Sequence, residues 1–129
     1  MPRRVLFVSR DEGAPWLVAA TLSPAILKAI LRQEIAYDGV IISDDMQMKA
    51  ISSHYTLETA IYRAITAGVD ILTFGNNLHY DESIAAKATA IIKGLVSRGT
   101  IAEERIEQSY QRIRRLKDRL LFNSPMDAE

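Results

Sequence analysis

The sequence predicts an α/β fold built on a parallel sheet, and three observations point there. Three short β-rich runs, VLFV (5–8), GVIIS (39–43) and VDILTF (69–74), are separated by stretches long enough for a crossover helix. The segments between and after them carry apolar residues at helical spacing. Within the second and third runs, GVII and ILTF read as continuous apolar stretches, the pattern of strands covered by helices on both faces. Strands are therefore expected at about 5–8, 39–44 and 69–75, with helices at about 24–36, 57–67, 82–98 and 101–120 and right-handed crossovers. Periodicity alone leaves two architectures open, a small open sheet or an arc of a larger (β/α) barrel.

Each helix has its own start and stop signals. Ser23-Pro24 is an N-cap followed by proline at the first helical position, and Ile26, Leu27, Ile30, Leu31 and Ile35 form one apolar face. Thr56 opens the second helix, with Leu57, Ala60, Ile61, Ala64 and Ile65 inward and Gly68 as its end. Asp81 caps the third, whose face is Ile84, Ala88, Ile91, Ile92 and Leu95, and Gly99 stops it. Thr100 and Glu103 have capping-box spacing ahead of a terminal helix with Ile106, Tyr110, Ile113, Leu116 and Leu120 as its stripe. Arg10 to Ala20 reads as the long loop after the first strand, and the tail from about 122 to 129, ending NSPMDAE, as disordered.

Composition bounds the function. A chain of 129 residues and 14.4 kDa is the size of one modest domain, taken here as 1–129, and 48% hydrophobic with 25% charged residues is ordinary for a folded protein. Sixteen basic residues balance sixteen acidic ones, so no overall field draws the chain to nucleic acid or to an anionic membrane. The basic residues Arg112, Arg114, Arg115, Lys117 and Arg119 complement the dipole of the terminal helix, whose first turns carry Glu103, Glu104 and Glu107. With no cysteine, and only His54 and His79 as imidazoles, neither a metal site nor a cofactor is expected. The apolar run Val5 to Val8 is too short for a signal-peptide core, and no stretch approaches the roughly 20 apolar residues of a membrane span. The expectation is a cytoplasmic protein.

Two adjacent carboxylates end the second strand. Ligands and catalytic groups gather at the carboxyl ends of parallel strands, so Ser43, Asp44 and Asp45 fall where chemistry is expected, with Gly75, Asn76 and Asn77 on the same rim. Asp, Asn and Gly are also what a strand-to-loop turn prefers. Neighbours in an extended segment point to opposite faces, so Asp44 and Asp45 cannot converge on one bond from both sides. At most one of them faces a pocket, and the other holds the turn. Met46 and Met48 read as residues packing under the rim, both with a secondary reading as sugar contacts.

The runs ATLSPAILKAILRQEIAYDGVIISDDMQMKAI, YTLETAIYRAITAGVDILTFGNN and RGTIAEERIEQSYQRIRRLK together resemble the C-terminal part of the catalytic (β/α)8 barrel of family 3 glycoside hydrolases. The bacterial β-N-acetylhexosaminidase branch is the most similar. The resemblance spans about Ala20 to Leu121, and DGVIISDDMQM is its most specific element because strand, Ser-Asp and downstream methionine match the family's nucleophile segment. It implies a partial barrel corresponding to strands six to eight, retaining hydrolysis of terminal N-acetylglucosamine-type sugars such as peptidoglycan fragments, and Asp44 as nucleophile. Asp45, Met48 and Asn76 are rim candidates for substrate binding.

The family's acid/base histidine sits in a Lys-His-Phe-Pro-Gly-His loop, and the 129 residues contain no such loop. His54 is the one local candidate to replace it and His79 a weaker one, although loop histidines near a helix start are commonly just solvated. The resemblance therefore implies weak or no turnover by the chain alone. The alternative is a noncatalytic barrel fragment acting as an assembly or binding module. Because an arc of a barrel leaves strand edges unpaired, self-association or pairing with another barrel fragment is expected in either case.

Overall fold

The computed structural model describes residues 8–10, 17–19, 22–77 and 80–122. In chain order the elements are β1 (Val8–Arg10), β2 (Leu17–Ala19), α1 (Ala25–Glu34), β3 (Ile42–Asp45), a single helical turn (Lys49–Ser52), α2 (Leu57–Ala67), β4 (Ile71–Thr73), α3 (Ile84–Ser97) and α4 (Glu103–Phe122). None of these helices is long and apolar enough to cross a membrane.

The parallel sheet of the described residues contains two strands, β3 and β4, and not the expected three. Val8–Arg10, at the end of the expected first strand, pairs antiparallel with Leu17–Ala19 in a sheet of its own, so the stretch read as one long loop contains a strand. The two segments lie too close in sequence for a crossover, and chain neighbours at that distance pair antiparallel. Residues 5–7 and the tail from 123 to 129 lie outside the described residues.

Helix α2 matches its expected span and is the hub of the packing. Thr56 Oγ1 accepts the Thr59 amide at 3.2 Å, and Gly68 ends the helix with φ 122. One flank of α2 places Ala60 and Ala64 against Leu22, Leu27, Ile41, Met46 and Ile51, while the other places Ile61 and Ile65 against Ala88, Leu95 and Ile101. Leu72 and Phe74 of the β4 segment touch both clusters and join them. Gly68→Ala forces a side chain onto left-handed backbone and is expected to lower stability by about 1–2 kcal/mol, read from the urea midpoint at unchanged slope.

Helix α1 departs from its expected face. Leu27 is buried and Ile26 and Leu31 pack on the core, but Ile30 and Ile35 are 42% and 62% exposed. The helix is wound wide, with the Ile35 amide donating to Ile30 O at 2.8 Å, a five-residue step. Wider winding keeps the residues four apart, Leu27 and Leu31, on one side and rotates those three apart out of it. Ser23 still serves the amino end, its Oγ accepting the Ile26 amide at 3.4 Å.

The third and fourth helices start later than expected. Helix α3 begins at Ile84, with Asp81 Oδ1 accepting the Ser83 amide at 2.9 Å just ahead of it. Helix α4 begins at Glu103, so Glu103 is its first residue and not the third-residue partner of a Thr100 cap. The Thr100 and Ile101 amides donate to Leu95 O at 2.9 and 3.2 Å, and Ile101 is buried to 2% exposure. Burying Ile101 outweighs a capping box at Thr100. The stripe of α4 is only partly covered, with Tyr110 52% and Leu120 65% exposed.

Candidate active site

Strand β3 alternates, contrary to the two-faced burial expected of its apolar run. Ile41 and Ser43 are buried on the side of the helices, whereas Ile42 is 59% exposed and Asp44 is exposed on the opposite face. Helices cover one face only among the described residues. Asp44 therefore stands at the carboxyl end of β3, side chain toward the open face, where a parallel sheet presents its reactive groups.

The ladder beside it is irregular. Ile42 pairs with Ile71 and Asp45 with Thr73, which leaves Ser43 and Asp44 opposite Leu72 alone. The extra residue makes a bulge, a device that bends a strand and re-aims its side chains. Ser43 repairs the ladder with its side chain. Its Oγ accepts the Thr73 amide at 2.8 Å and donates to Asp44 O at 2.7 Å. At 7% exposure Ser43 has no water to replace it. Ser43→Ala leaves the Thr73 amide without that acceptor, and a loss of about 1–3 kcal/mol is expected in chemical denaturation.

Asp45 turns away from the open face and ties the two rim loops together. Its Oδ1 accepts the Gln47 amide at 2.9 Å and the Gly75 amide at 2.9 Å. Gln47 Oε1 accepts the Asn76 amide at 2.6 Å, and Asn76, at φ 55, spends both ends of its own side-chain amide on Asp81. Asn76 Oδ1 accepts the Asp81 amide at 2.8 Å while Nδ2 donates to Asp81 O at 3.1 Å. Asp81 is pulled down to about 2 by hydrogen bonds from Lys87 and from the Ser83 side chain and amide, outweighing the small effect of burial. Of the rim candidates, Asp45 and Asn76 are thus engaged in holding the rim, and Met48 packs half-buried on the core beside the buried Met46.

Among the described residues there is no group of three His, Cys, Asp or Glu side chains placed to hold an ion. His54 is exposed beyond the helical turn, its amide donating to Ile51 O at 3.1 Å. His79 lies outside the described residues. An apolar cleft of about 480 Å³ opens between β4, α3 and α4, lined by Leu72, Phe74, Ile92, Ile106 and Tyr110; neither Asp44 nor Asp45 borders it.

A second charged centre, missed in the sequence, lies at the other end of the strands. Asp70, just before β4, has a side chain with 0% exposure although its backbone is partly open. Its Oδ2 accepts from Arg32 and from the Ile41 amide, both at 2.9 Å. Its Oδ1 accepts from Ser109 at 2.6 Å and Arg112 at 3.0 Å. Arg105 lies 3.8 Å from the same oxygen and donates to Ile65 O and Val69 O. Burial by itself would raise the Asp70 pKa, but the hydrogen bonds from Ser109, Ile41 and Arg112, with the charge of Arg112, hold it below the ordinary carboxylate value. Arg105 is lowered by burial, against the opposing pull of Asp70. The sequence signal is an aspartate inside an apolar run, followed by two arginines, Arg105 and Arg112, two helical turns apart on one face of the terminal helix.

Comparison with known proteins agrees with the fold and the family. The glycosyl hydrolase family 3 N-terminal domain matches residues 1–116. The β-hexosaminidase A of Pseudoalteromonas piscicida is 28% identical over 120 residues, which is 88% of this chain and 19% of that protein. A β-hexosaminidase of Hydrogenovibrio crunogenus is 30% identical over 89 residues, 69% of this chain and 24% of its own length. The solved family 3 β-N-acetylglucosaminidase from Paenibacillus sp. FPU-7 superposes with a TM-score of 0.73 at 32% identity, covering 82% of this chain and 19% of that structure. The chain thus spans about a quarter or less of the length of these relatives. Two parallel strands and four helices are consistent with part of their barrel domain.

Proposed function

We propose, from the premise that this chain belongs to the glycosyl hydrolase family 3 N-terminal domain family, that it carries the nucleophile half of a retaining β-N-acetylhexosaminidase site. Asp44 is the nucleophile, attacking the anomeric carbon of a terminal N-acetylglucosamine-type sugar to form a covalent glycosyl-enzyme that water then hydrolyses. One observation carries this reading. Asp44 is the exposed carboxylate at the end of β3, on the same face as Ile42, while Asp45 beside it is bound into the rim. The relatives named as β-hexosaminidases and a β-N-acetylglucosaminidase support the choice of amino sugar, and peptidoglycan fragments fit that class.

The acid/base must come from outside these 129 residues or be replaced, because the histidine loop is not among them. Unassisted departure of the leaving oxygen costs about 100- to 10,000-fold in rate. The chain alone is therefore expected to be slow or inactive on natural glycosides and measurable only on aryl N-acetylglucosaminides with good leaving groups. Steady-state release of the aryl alcohol, with the rate falling steeply as the leaving-group pKa rises, is the expected result; no release from the most activated substrate would overturn the reading.

A second reading is favoured by the uncovered apolar surface, Ile42 on the open face and the cleft beside β4. On this reading the chain is a noncatalytic module that associates with itself or with another barrel fragment. Sedimentation should then show a species larger than the monomer, and a sharp monomer peak with a cooperative thermal transition would contradict it.

A further inference from the structure

Asp45 does more than fill a turn: we infer that it is a positioning residue for Asp44, with Gly75 as the other half of the device. The inference rests on Asp44 being the reactive carboxylate, but its geometry stands separately. The Asp45 amide donates to Asp44 Oδ1 at 2.8 Å, so the reactive carboxylate is held by the backbone of its neighbour. That neighbour's own carboxylate is fixed by two further amides, Gln47 on its own loop and Gly75 on the loop after β4. The chain of contacts runs from Gly75 N–H to the Asp45 carboxylate, and from Asp45 N–H to Asp44 Oδ1. Two loops from two strands thus converge on the orientation of one side chain.

Gly75 is required for this for a steric reason. A Cβ there would fall inside contact distance of Asp45 Oδ2 and only 3.0 Å from its Cγ, so any other residue displaces the carboxylate from the amides it accepts. The bulge adds the second constraint, since Ser43 Oγ, bound to the Thr73 amide, also donates to the backbone oxygen of Asp44. With backbone and carboxylate both held, the Asp44 side chain is confined to one rotamer, and a group misplaced by about 1 Å in such a site loses on the order of 100-fold in rate.

The test is the rotamer of Asp44 in solution, read from its three-bond χ1 couplings by nuclear magnetic resonance in the full chain. The parent should show one rotamer; averaged couplings in the parent overturn the proposal outright. Asp45→Ala and Gly75→Ala should each average the Asp44 couplings, and Asp45→Asn, which keeps Oδ1 as an acceptor, should restore a single rotamer. A role confined to stability would lower the melting temperature in Asp45→Ala yet leave the couplings of Asp44 unchanged, and that result also overturns the proposal. Should Asp45→Ala fail to fold, Gly75→Ala and the parent still decide it. With an activated fluorinated N-acetylglucosaminide as covalent probe, Asp45→Ala should label about 10- to 100-fold more slowly than the parent at unchanged probe affinity. Absence of labelling in the parent itself counts against Asp44 as nucleophile, and the couplings then still decide whether Asp45 positions it.

Discussion

Asp70→Ala is expected to cost about 3–5 kcal/mol, a large share of the roughly 5–15 kcal/mol that stabilises a domain. The carboxylate it removes is fully enclosed and is approached by Arg32, Arg105 and Arg112, whose side chains are only 15%, 15% and 19% exposed. Without it three guanidiniums face one another in a poorly solvated space, and the Ile41 amide and Ser109 hydroxyl lose their acceptor. Arg105, already lowered by its burial, loses the one charge that raises it. Urea denaturation of the variant should show a collapsed midpoint, or a chain unfolded without denaturant. Asp70→Asn keeps the shape and some hydrogen bonds and should lie between the two. A loss under about 1 kcal/mol in Asp70→Ala would show that the cluster is a surface network in disguise.

The same residue sets an acid limit. The folded-state pKa of Asp70 is lowered, so its contribution is fully present above the ordinary carboxylate value and is lost as pH falls through the lower folded value. Stability should therefore hold down to about pH 4 and drop below it. Much of that drop should be missing in Asp70→Asn, provided the variant folds.

Asp44→Ala should abolish release of the aryl alcohol, by on the order of 10,000-fold or to background, since the neighbouring carboxylate of Asp45 is bound into the rim. Its cost in stability is about 1 kcal/mol or less, because the side chain is exposed and the hydrogen bond it accepts from the Asp45 amide is local. Kinetics on the series of leaving groups separates this loss from any failure to fold. Activity equal to the parent's would remove Asp44 from the chemistry.

Local signals were legible where the chemistry was local. Thr56 and Gly68 bracket α2 because a hydroxyl and a left-handed glycine act within a few residues of themselves. The position of both aspartates at a strand end followed from the sequence pattern, and alternation along extended backbone implied that at most one of them faces a pocket; the choice of Asp44 came from the family resemblance. What sequence did not disclose depends on partners far along the chain. The bulge beside Ser43 is bridged by Thr73 on another strand. The wide winding of α1 shifted Ile30 and Ile35 outward, which no standard helical period foresees. The run Val5 to Val8 was read as a parallel strand, whereas Val8–Arg10 pairs antiparallel, because a β-rich run does not carry the direction of its partner. The Asp70 cluster joins α1, β4 and α4, and of its three arginines Arg112 looked in isolation like ordinary dipole compensation.

The central claim, that Asp44 and not Asp45 is the nucleophile, is tested most directly by trapping. The chain is incubated with a slowly turned-over fluorinated N-acetylglucosaminide bearing an activated leaving group, digested with trypsin, and the peptide Gln33–Lys49 is sequenced by mass spectrometry. The glycosyl mass is expected on Asp44. An adduct on Asp45, or a peptide that stays unmodified under conditions where the folded chain persists, would contradict the account.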